Sequence, residues 1–278
     1  MVKIMKLPLQ IQLFSTAKCN RSCAWCIEKE NLNIYKNIKA DQYSAIISNL
    51  LKTLNKKSIP YNVVITGGEP CLSIDRLAHI VSAIKDNILS IIDITSTDGR
   101  KTKAYKIGLN TNGDFPIPSK IYKQLTYIDI TYNGTLINPN GFPNPRLQTC
   151  YRKELFINDD TIIELIDSAR QIGYSDLLFR ETINYIDNPS VFDLMFRLQD
   201  KLNLKLIDTQ FNVYDTWLFF DYKGFHVYFK KQNLELQRIW EIVNKDNICS
   251  LVVWSDGKIT KSWDYHNELN MTELIGVK

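Results

Sequence analysis

Three cysteines near the start of the chain have a spacing that can hold a metal cluster. Cys19, Cys23 and Cys26 form the pattern C-x3-C-x2-C, directly after the apolar run of residues 9–14. Three thiolates on a four-iron cube leave one iron without a protein ligand, whereas electron-transfer ferredoxins use four cysteines. The open iron can bind a substrate or a cofactor, so we expect chemistry at this site.

Other interpretations of these cysteines are weaker. A chance match would need three of only six cysteines to fall at fixed offsets. A closed zinc site needs a fourth nearby ligand, and no further Cys or His lies at such a spacing from Cys26. Cys23 and Cys26 are too close together for a secreted disulfide framework, and the sequence shows no leader segment. Zinc stays open as an alternative to an iron–sulfur cluster, and we expect a reduced, cytoplasmic setting.

A second motif follows a predicted buried strand. The run Val63-Val64-Ile65-Thr66 ends in Gly67-Gly68-Glu69-Pro70. Glycines let the backbone approach a ligand closely. Glu69 would stand at the carboxyl end of a strand, where α/β sheets keep their active sites, and its carboxylate suits an ammonium group. Alone, this motif is also an ordinary strand-to-helix turn, but together with the cysteines it is specific.

The two motifs resemble those of the radical S-adenosylmethionine (SAM) superfamily, which combines C-x3-C-x-aromatic-C with a G-G-E-P turn after the second strand. The resemblance implies that the cysteines bind a 4Fe-4S cluster, that SAM chelates the open iron, and that the G-G-E segment holds the methionyl amine. Under it, the metal ligands are Cys19, Cys23 and Cys26, and the cofactor-binding residues of the two motifs are Trp25, Gly67, Gly68, Glu69 and Pro70.

Three further segments resemble later strands of the superfamily's MoaA-like core. Asn112 lies in a T-N-G turn after a third strand, although a plain Asn-Gly turn remains possible. Thr131 stands where the fourth strand commonly has a SAM-contacting Ser, and it has the same hydroxyl chemistry. Arg180, near the end of a fifth strand, would bind a carboxylate of SAM or substrate, or form a structural salt bridge. Ile183 would contact adenine through its backbone.

The order of elements favours an α/β fold. Predicted strands alternate with helices whose apolar residues repeat every 3.6 positions in residues 43–54 and 162–169. Such alternation implies parallel strands with right-handed crossovers, and the superfamily's core is a partial (β/α)6 TIM-like barrel. The predicted strands are residues 9–14, 62–66, 90–95, 106–110, 127–131 and 177–180. The turn-rich residues 133–152 are predicted to form a loop, as a candidate lid.

Beyond residue 207 the sequence becomes rich in aromatic residues. We predict β-hairpins around residues 222–224 and around Asp256-Gly257, with a helix over residues 234–243. The predicted organisation is a radical SAM core of residues 1–207 and a β-rich C-terminal cap of residues 208–278. Cys71, Cys150 and Cys249 are isolated, so we predict one cluster rather than an auxiliary one.

The resemblance implies an enzyme that reductively cleaves SAM and acts on a small molecule or nucleotide. A ribosomal-peptide maturase and a non-catalytic iron–sulfur sensor are the alternatives. An external electron donor such as flavodoxin or ferredoxin is expected as a partner. No apolar run approaches the roughly 20 residues of a membrane span. The net charge of +4 is mild, so nothing in the sequence demands nucleic acid as a partner.

Overall fold

The computed structural model comprises two compact units. The first is Met1–Thr111, Phe115–Thr126 and Asp246–Lys278, and the second is Asn112–Asp114 and Tyr127–Lys245. The structure describes residues 8–23, 26, 36–95, 101–139, 141–142, 144–152, 155–156, 158–181, 190–211, 215–233, 250–261 and 268–269.

Helices and strands alternate through much of the described chain. The strands are β1 (Leu9–Phe14), β2 (Tyr61–Thr66), β3 (Ile92–Thr95), β4 (Lys101–Ala104), β5 (Ile107–Thr111), β6 (Tyr127–Thr131), β7 (Pro145–Cys150), β8 (Asp176–Arg180), β9 (Lys205–Phe211), β10 (Asp215–Tyr222), β11 (Phe225–Gln232), β12 (Ser250–Val253) and β13 (Ile259–Thr260). The α-helices are α1 (Ala40–Lys56), α2 (Ile74–Lys85), α3 (Ser119–Tyr122), α4 (Asp159–Gln171) and α5 (Val191–Leu202). A 3-10 turn covers Pro70–Leu72.

The sheet of the first unit runs in the order β13-β12-β1-β2-β5. Strands β12, β1, β2 and β5 are parallel, and only β13 is antiparallel to its neighbour. Alternate residues of β2, from Tyr61 through Val63 to Ile65, are fully buried, as expected for a strand with one face on the core. Helices α1 and α2 pack against each other. Because β1 and β2 are parallel neighbours, their carboxyl ends lie at the same edge of the sheet.

The sheet of the second unit runs in the order β6-β7-β8-β11-β10-β9. Strands β6, β7, β8 and β11 are parallel, and β10 and β9 complete an antiparallel edge. Phe179 and Phe229 stack 5.4 Å apart between their ring centroids on one face. The other face carries the polar and charged side chains described below. Both units are therefore α/β, with mainly parallel sheets.

Two sequence predictions about individual segments are wrong. Residues 92–95 form a strand, but it pairs antiparallel with β4 in a separate two-stranded sheet. Five residues between the two strands are too few for the crossover that parallel pairing requires. Residues 145–150, predicted as loop, form β7 inside the second sheet. Pro145 is its first residue, a position where a strand tolerates proline.

The predicted hairpins are present, and they extend the two sheets. β10 and β11 form one hairpin whose second strand pairs with β8, while β12 and β13 form another whose first strand pairs with β1. The predicted division after residue 207 does not coincide with the two units and stays a prediction. The predicted helix over 234–243 lies outside the described residues. In the described part of the chain, no helix is long and apolar enough to cross a membrane.

Candidate metal and cofactor site

The three cysteines of the predicted cluster site differ in exposure. Cys19 is exposed, while Cys23 and Cys26 are half-buried. The backbone N–H of Arg21 donates to Cys19 Sγ at 3.4 Å, and that of Cys26 donates to the Cys23 carbonyl at 3.1 Å. Backbone N–H groups that point at sulfur stabilise a thiolate and tune the potential of an iron–sulfur cluster. Trp25 lies outside the described residues.

The residues fit a cluster bound through three thiolates. In a four-iron cube each cysteine binds a different iron, so the sulfurs need not surround one point. Among the described residues no three His, Cys, Asp or Glu side chains are grouped as ligands of a single ion. Reduced thiols in one short loop, one of which accepts a backbone hydrogen bond, supply the donor set that a cube with one open iron requires.

We use the name cysteine loop for the described residues 15–23, 26 and 36–38. Asn37 joins its two ends. Its Oδ1 accepts from the Ala17 N–H at 3.0 Å, and its Nδ2 donates to Thr16 Oγ1 at 3.1 Å. The Ser15 N–H donates to the Thr66 carbonyl at 2.9 Å, which continues the pairing of β1 with β2. One end of the loop is thus fixed both to its other end and to the neighbouring strand.

A buried arginine of α2 also binds both ends of the cysteine loop. The Arg76 guanidinium donates to the carbonyls of Ser15, Ile38 and Ser255, the last at 3.1 Å. Its Cζ lies 4.8 Å from the centre of the Tyr43 ring, a cation–π distance. Arg76 was not predicted from the sequence, because its acceptors are backbone carbonyls that leave no pattern of residue types.

The Gly-Gly-Glu turn packs directly on the backbone of the cysteine loop. The Gly68 N–H donates to the Thr16 carbonyl and the Glu69 N–H to the Lys18 carbonyl, both at 2.8 Å. A Cβ on Gly68 would lie 2.0 Å from the Lys18 carbonyl oxygen, and one on Gly67 would lie 2.9 Å from that of Thr16. We predicted that the two glycines let the backbone approach a ligand. In the described contacts, the backbone that they approach is that of the cysteine loop. A ligand role for the two glycines stays a prediction.

Glu69 is buried at the start of the following 3-10 turn. It is 1% exposed, and its Oε1 accepts from the Cys71 N–H at 2.9 Å and from Thr111 Oγ1 at 2.8 Å. Pro70 is the first residue of the turn and is also buried. Burial and the nearby carboxylate raise the pKa of the Cys71 thiol far above its usual range. Thr111, missed from the sequence, helps to orient the carboxylate.

Asn112 begins a tight turn in the second unit. Its Oδ1 accepts from the Asp114 N–H at 3.0 Å, and Gly113 has a positive φ of 77°. A Cβ at Gly113 would lie 2.8 Å from Ile137 Cδ1. The plain Asn-Gly turn that the sequence left open is therefore present, and contact of Asn112 with a cofactor stays a prediction.

Two predicted cofactor residues of the second unit are linked through a glutamine. Gln148 Nε2 donates to Thr131 Oγ1 at 3.2 Å, and Arg180 Nη1 donates to Gln148 Oε1 at 3.4 Å. Gln148 is 6% exposed and lies on β7, a strand that the turn-rich sequence around it does not predict. Among the described residues Arg180 forms no ion pair, and both its predicted carboxylate contact and the salt-bridge alternative stay predictions. Ile183 lies outside the described residues.

Charged residues continue along the same face of the second sheet. Arg146 donates to both carboxylate oxygens of Asp129, at 2.7 and 2.6 Å. Burial disfavours its charge most strongly, but the charge and hydrogen bonds of Asp129, together with Tyr127 and Asp176, outweigh burial and raise the pKa of Arg146. Lys230 pairs with Asp215 at 2.7 Å, and its Nζ lies 4.7 Å from the Trp217 ring centre.

The sequence matches a known family of iron–sulfur proteins. The family model described as a 4Fe-4S single cluster domain matches residues 9–149, slightly more than half of the 278 residues. The chain therefore belongs to this family. No curated protein matches the sequence.

Solved structures of radical SAM proteins have the same fold. SuiB of Streptococcus suis, bound to S-adenosylmethionine, aligns with a TM-score of 0.61 at 14% identity over 99% of this chain and 66% of its own. The protein anSMEcpe with bound AdoMet aligns with a TM-score of 0.57 at 13% identity over 98% and 81%. A structure of anSMEcpe with AdoMet and a Kp18Cys peptide has a TM-score of 0.54 at 14% identity over the same shares.

These likenesses establish the architecture. The chain has the α/β, partial TIM-barrel fold of these SAM-bound structures, and its three-cysteine motif lies within the residues that the 4Fe-4S family model matches. It spans slightly less than two thirds of the length of SuiB.

Proposed function

We propose that the chain is an enzyme that reductively cleaves SAM at a 4Fe-4S cluster bound by Cys19, Cys23 and Cys26, to generate a 5'-deoxyadenosyl radical that abstracts hydrogen from substrate. The three cysteines would hold the cluster, which when bound would supply the one electron that reductive cleavage of the C5'–S bond of SAM into methionine and the radical requires. The electron comes from an external donor such as flavodoxin or ferredoxin. The membership in a 4Fe-4S family and the fold of SAM-bound neighbours support this proposal.

One observation supports it most: the Gly-Gly-Glu turn and the cysteine loop form one hydrogen-bonded unit. Gly68 pairs with Thr16 and Glu69 pairs with Lys18, so the residue that carries the buried carboxylate is hydrogen-bonded to the cysteine loop. Glu69 would hold the SAM amine, and the turn would fix its distance from the cysteines. A sensor that binds only a cluster has no need of such a carboxylate.

The predicted contacts with SAM in the second unit are Asn112, Thr131 and Arg180. Gln148 would set the rotamers of the last two, because it donates to Thr131 and accepts from Arg180. Trp25 and Ile183 remain predictions from the resemblance.

The substrate class that we propose is a small molecule or nucleotide. A peptide is the second candidate, since a neighbour with a TM-score of 0.54 is described with a bound Kp18Cys peptide. The cytoplasmic location stays a prediction.

The cluster assignment is tested by iron and sulfide analysis after anaerobic reconstitution. We expect about four irons and four sulfides per chain, lost when the three cysteines of the loop are replaced together by Ala. Cys150→Ala, which removes a thiol outside the loop, is the control and should keep the full content. Full iron content in the triple variant would refute the assignment.

The role of Glu69 is tested by SAM binding. Glu69→Ala should keep the cluster but bind SAM roughly 10- to 100-fold more weakly, because a charge-assisted hydrogen bond is worth about 1.5 to 3 kcal/mol. Equilibrium dialysis measures the affinity. An unchanged affinity for SAM in a variant with a full cluster would show that Glu69 does not bind SAM.

A further inference from the structure

The first sheet has a polar face without charge. Its four parallel strands, β12, β1, β2 and β5, contain no Asp, Glu, Lys, Arg or His. One face of these strands is apolar and fully buried, as at Val63 and Ile65 of β2. Alternate residues point to the other face, where the polar side chains are exposed or half-buried. They are Gln10, Gln12, Asn62, Thr66 and Asn110.

Two of these side chains lie at the carboxyl ends of neighbouring strands. Thr66 is the last residue of β2 and directly precedes Gly67 of the Gly-Gly-Glu turn. Asn110 is the last but one residue of β5. Because Ile65 pairs with Leu109, Thr66 and Asn110 are the next residues of the two strands and share a face. Ligands of parallel α/β sheets bind at this end of the strands.

Two amides at the other end of the same face are used within the fold. Asn62 Nδ2 donates to the Lys103 carbonyl at 3.2 Å, and Asn62 Oδ1 accepts from the Lys106 N–H at 3.0 Å. Gln10 Nε2 donates to the Pro8 carbonyl at 3.0 Å. These hydrogen bonds hold the connection between β4 and β5 and the start of β1, so the fold itself accounts for both amides.

The amide of Asn110 has no comparable use. Its Oδ1 is buried and has no hydrogen-bond partner within the part of the chain that the structure describes. A buried polar atom without a partner is unfavourable, because its lost hydration is not replaced. The residue as a whole is half-buried, so its amide can be reached from one side. Rotation about the last side-chain bond exchanges the nitrogen and the oxygen, so Asn110 can offer a bound molecule either a donor or an acceptor.

We propose that Asn110, with Thr66 beside it, binds an uncharged amide group of the substrate. An amide has one N–H donor and one carbonyl acceptor, which match the two ends of the Asn110 side chain. A charged group would lose hydration here without a counter-charge from the strands of this sheet. SAM contains no amide, so the group belongs to the substrate. In that assignment the inference rests on the proposed function, whose substrate class it narrows.

Two kinds of substrate carry such an amide: a nucleoside with a pyrimidine ring, and a peptide. The experiment separates them with two pairs of probes. Uridine has an N–H between two ring carbonyls, and 3-methyluridine has a methyl group in place of that hydrogen. N-acetylalanine methylamide has a peptide-like N–H, and the corresponding methyl ester has none.

The experiment compares Asn110→Leu with Gln10→Leu in the reconstituted protein. Leu has the same branched shape as Asn and removes both polar atoms. Gln10 lies on the same face but at the other end of the strands, so it is the matched control. Because Asn110→Leu removes a buried atom without a partner, its unfolding temperature should equal or exceed that of the wild type. An Asn110 that served only the fold would instead make the Leu variant less stable.

The first arm measures the binding of the uridine pair to SAM-loaded protein by isothermal titration calorimetry. If the substrate is a nucleoside, the wild type and Gln10→Leu should bind uridine more tightly than 3-methyluridine. Asn110→Leu should bind uridine roughly 2- to 10-fold more weakly than the control, as expected for a lost neutral hydrogen bond. The affinity for SAM should be the same in all three proteins.

The second arm repeats the titrations with the methylamide and the methyl ester. If the substrate is a peptide, the same pattern should appear in this pair and be absent from the uridine pair. In either case, only the probe that has an N–H should distinguish Asn110→Leu from Gln10→Leu.

The proposal would be overturned by a wild type that binds neither uridine nor the methylamide, or by equal binding of both probes to Asn110→Leu and Gln10→Leu. A less stable Asn110→Leu, or one with weaker SAM binding, would also overturn it. For protein that binds no SAM, both arms are run without SAM. Amide binding that is lost in Asn110→Leu would then support the amide site while counting against the proposed function.

Discussion

The cysteine loop of the first unit and the charged face of the second unit are held in place by different kinds of contact. The loop is held mainly by backbone groups, through Gly68 and Glu69 on one side and the three carbonyl acceptors of Arg76 on the other. The charged face is held by side chains that bind one another, such as Arg146 with Asp129. Backbone hydrogen bonds fix the position of the cysteine loop whatever side chains it carries. Contacts between side chains, in contrast, change when a single residue of the charged face is substituted.

The largest effect is expected for Gly68→Ala. The added Cβ would lie 2.0 Å from the Lys18 carbonyl oxygen, so the turn and the loop must separate. We expect a loss of about 3 kcal/mol or more in the free energy of unfolding and little bound iron after reconstitution. Urea unfolding and iron analysis measure the two effects.

The control for this substitution is Gly224→Ala, in the hairpin between β10 and β11. It has a positive φ of 79° but open space around its Cβ position, so it should cost only about 1 kcal/mol and keep the cluster. Equal iron content in both variants would contradict the backbone account of the loop.

A somewhat smaller effect is expected for Arg76→Met. Three carbonyls at the ends of the loop and of the β12–β13 hairpin lose their donor, which should cost about 3 kcal/mol. The cluster should form but lose iron faster to a chelator, and its electron paramagnetic resonance signal should broaden. Lys85→Met, an exposed residue of the same helix, should change neither property. A stable, unbroadened cluster would show that Arg76 does not position the loop.

In the second unit, Asp129→Asn should lower stability without affecting the cluster. The substitution removes the charge that offsets the burial of Arg146, with an expected cost of about 2 kcal/mol in urea unfolding. Asp208→Asn, at an exposed position of β9, should be neutral. Loss of iron from Asp129→Asn in proportion to its loss of stability would contradict this expectation.

The smallest effect is expected for Thr111→Val. This change removes one donor to Glu69, at 2.8 Å, and keeps the shape of the side chain. The expected cost is about 1.5 kcal/mol in the free energy of unfolding, with full iron content. Thr111→Ser keeps the hydroxyl and should recover most of the loss. A Ser variant as unstable as the Val variant would point to the methyl group instead.

The sequence predicted the parts of the molecule that depend on local residue types. The cysteine spacing, the Gly-Gly-Glu-Pro turn, most of the parallel strands and the two hairpins can each be read within about ten residues. The family match confirms the 4Fe-4S class that the cysteine motif indicated, and the solved structures confirm the predicted fold.

What the sequence could not predict depends on distant partners. The turn-forming residues before Pro145 predict a loop. The structure of β7 is decided instead by its pairing with β6 and β8. Arg76 binds backbone carbonyls from three segments, and Gln148 gains its role only when its strand is placed between two others. Neither contact leaves a pattern in the residues around it.

The central claim is tested most directly by SAM cleavage. With dithionite as reductant, the reconstituted wild-type protein should release 5'-deoxyadenosine and methionine in equal amounts, measured by chromatography, and the variant with all three loop cysteines replaced by Ala should release neither. Glu69→Ala, with its cluster intact, should cleave SAM more slowly at subsaturating SAM. A wild-type protein with a loaded, reducible cluster that binds SAM and releases no 5'-deoxyadenosine would contradict the account and favour a sensor.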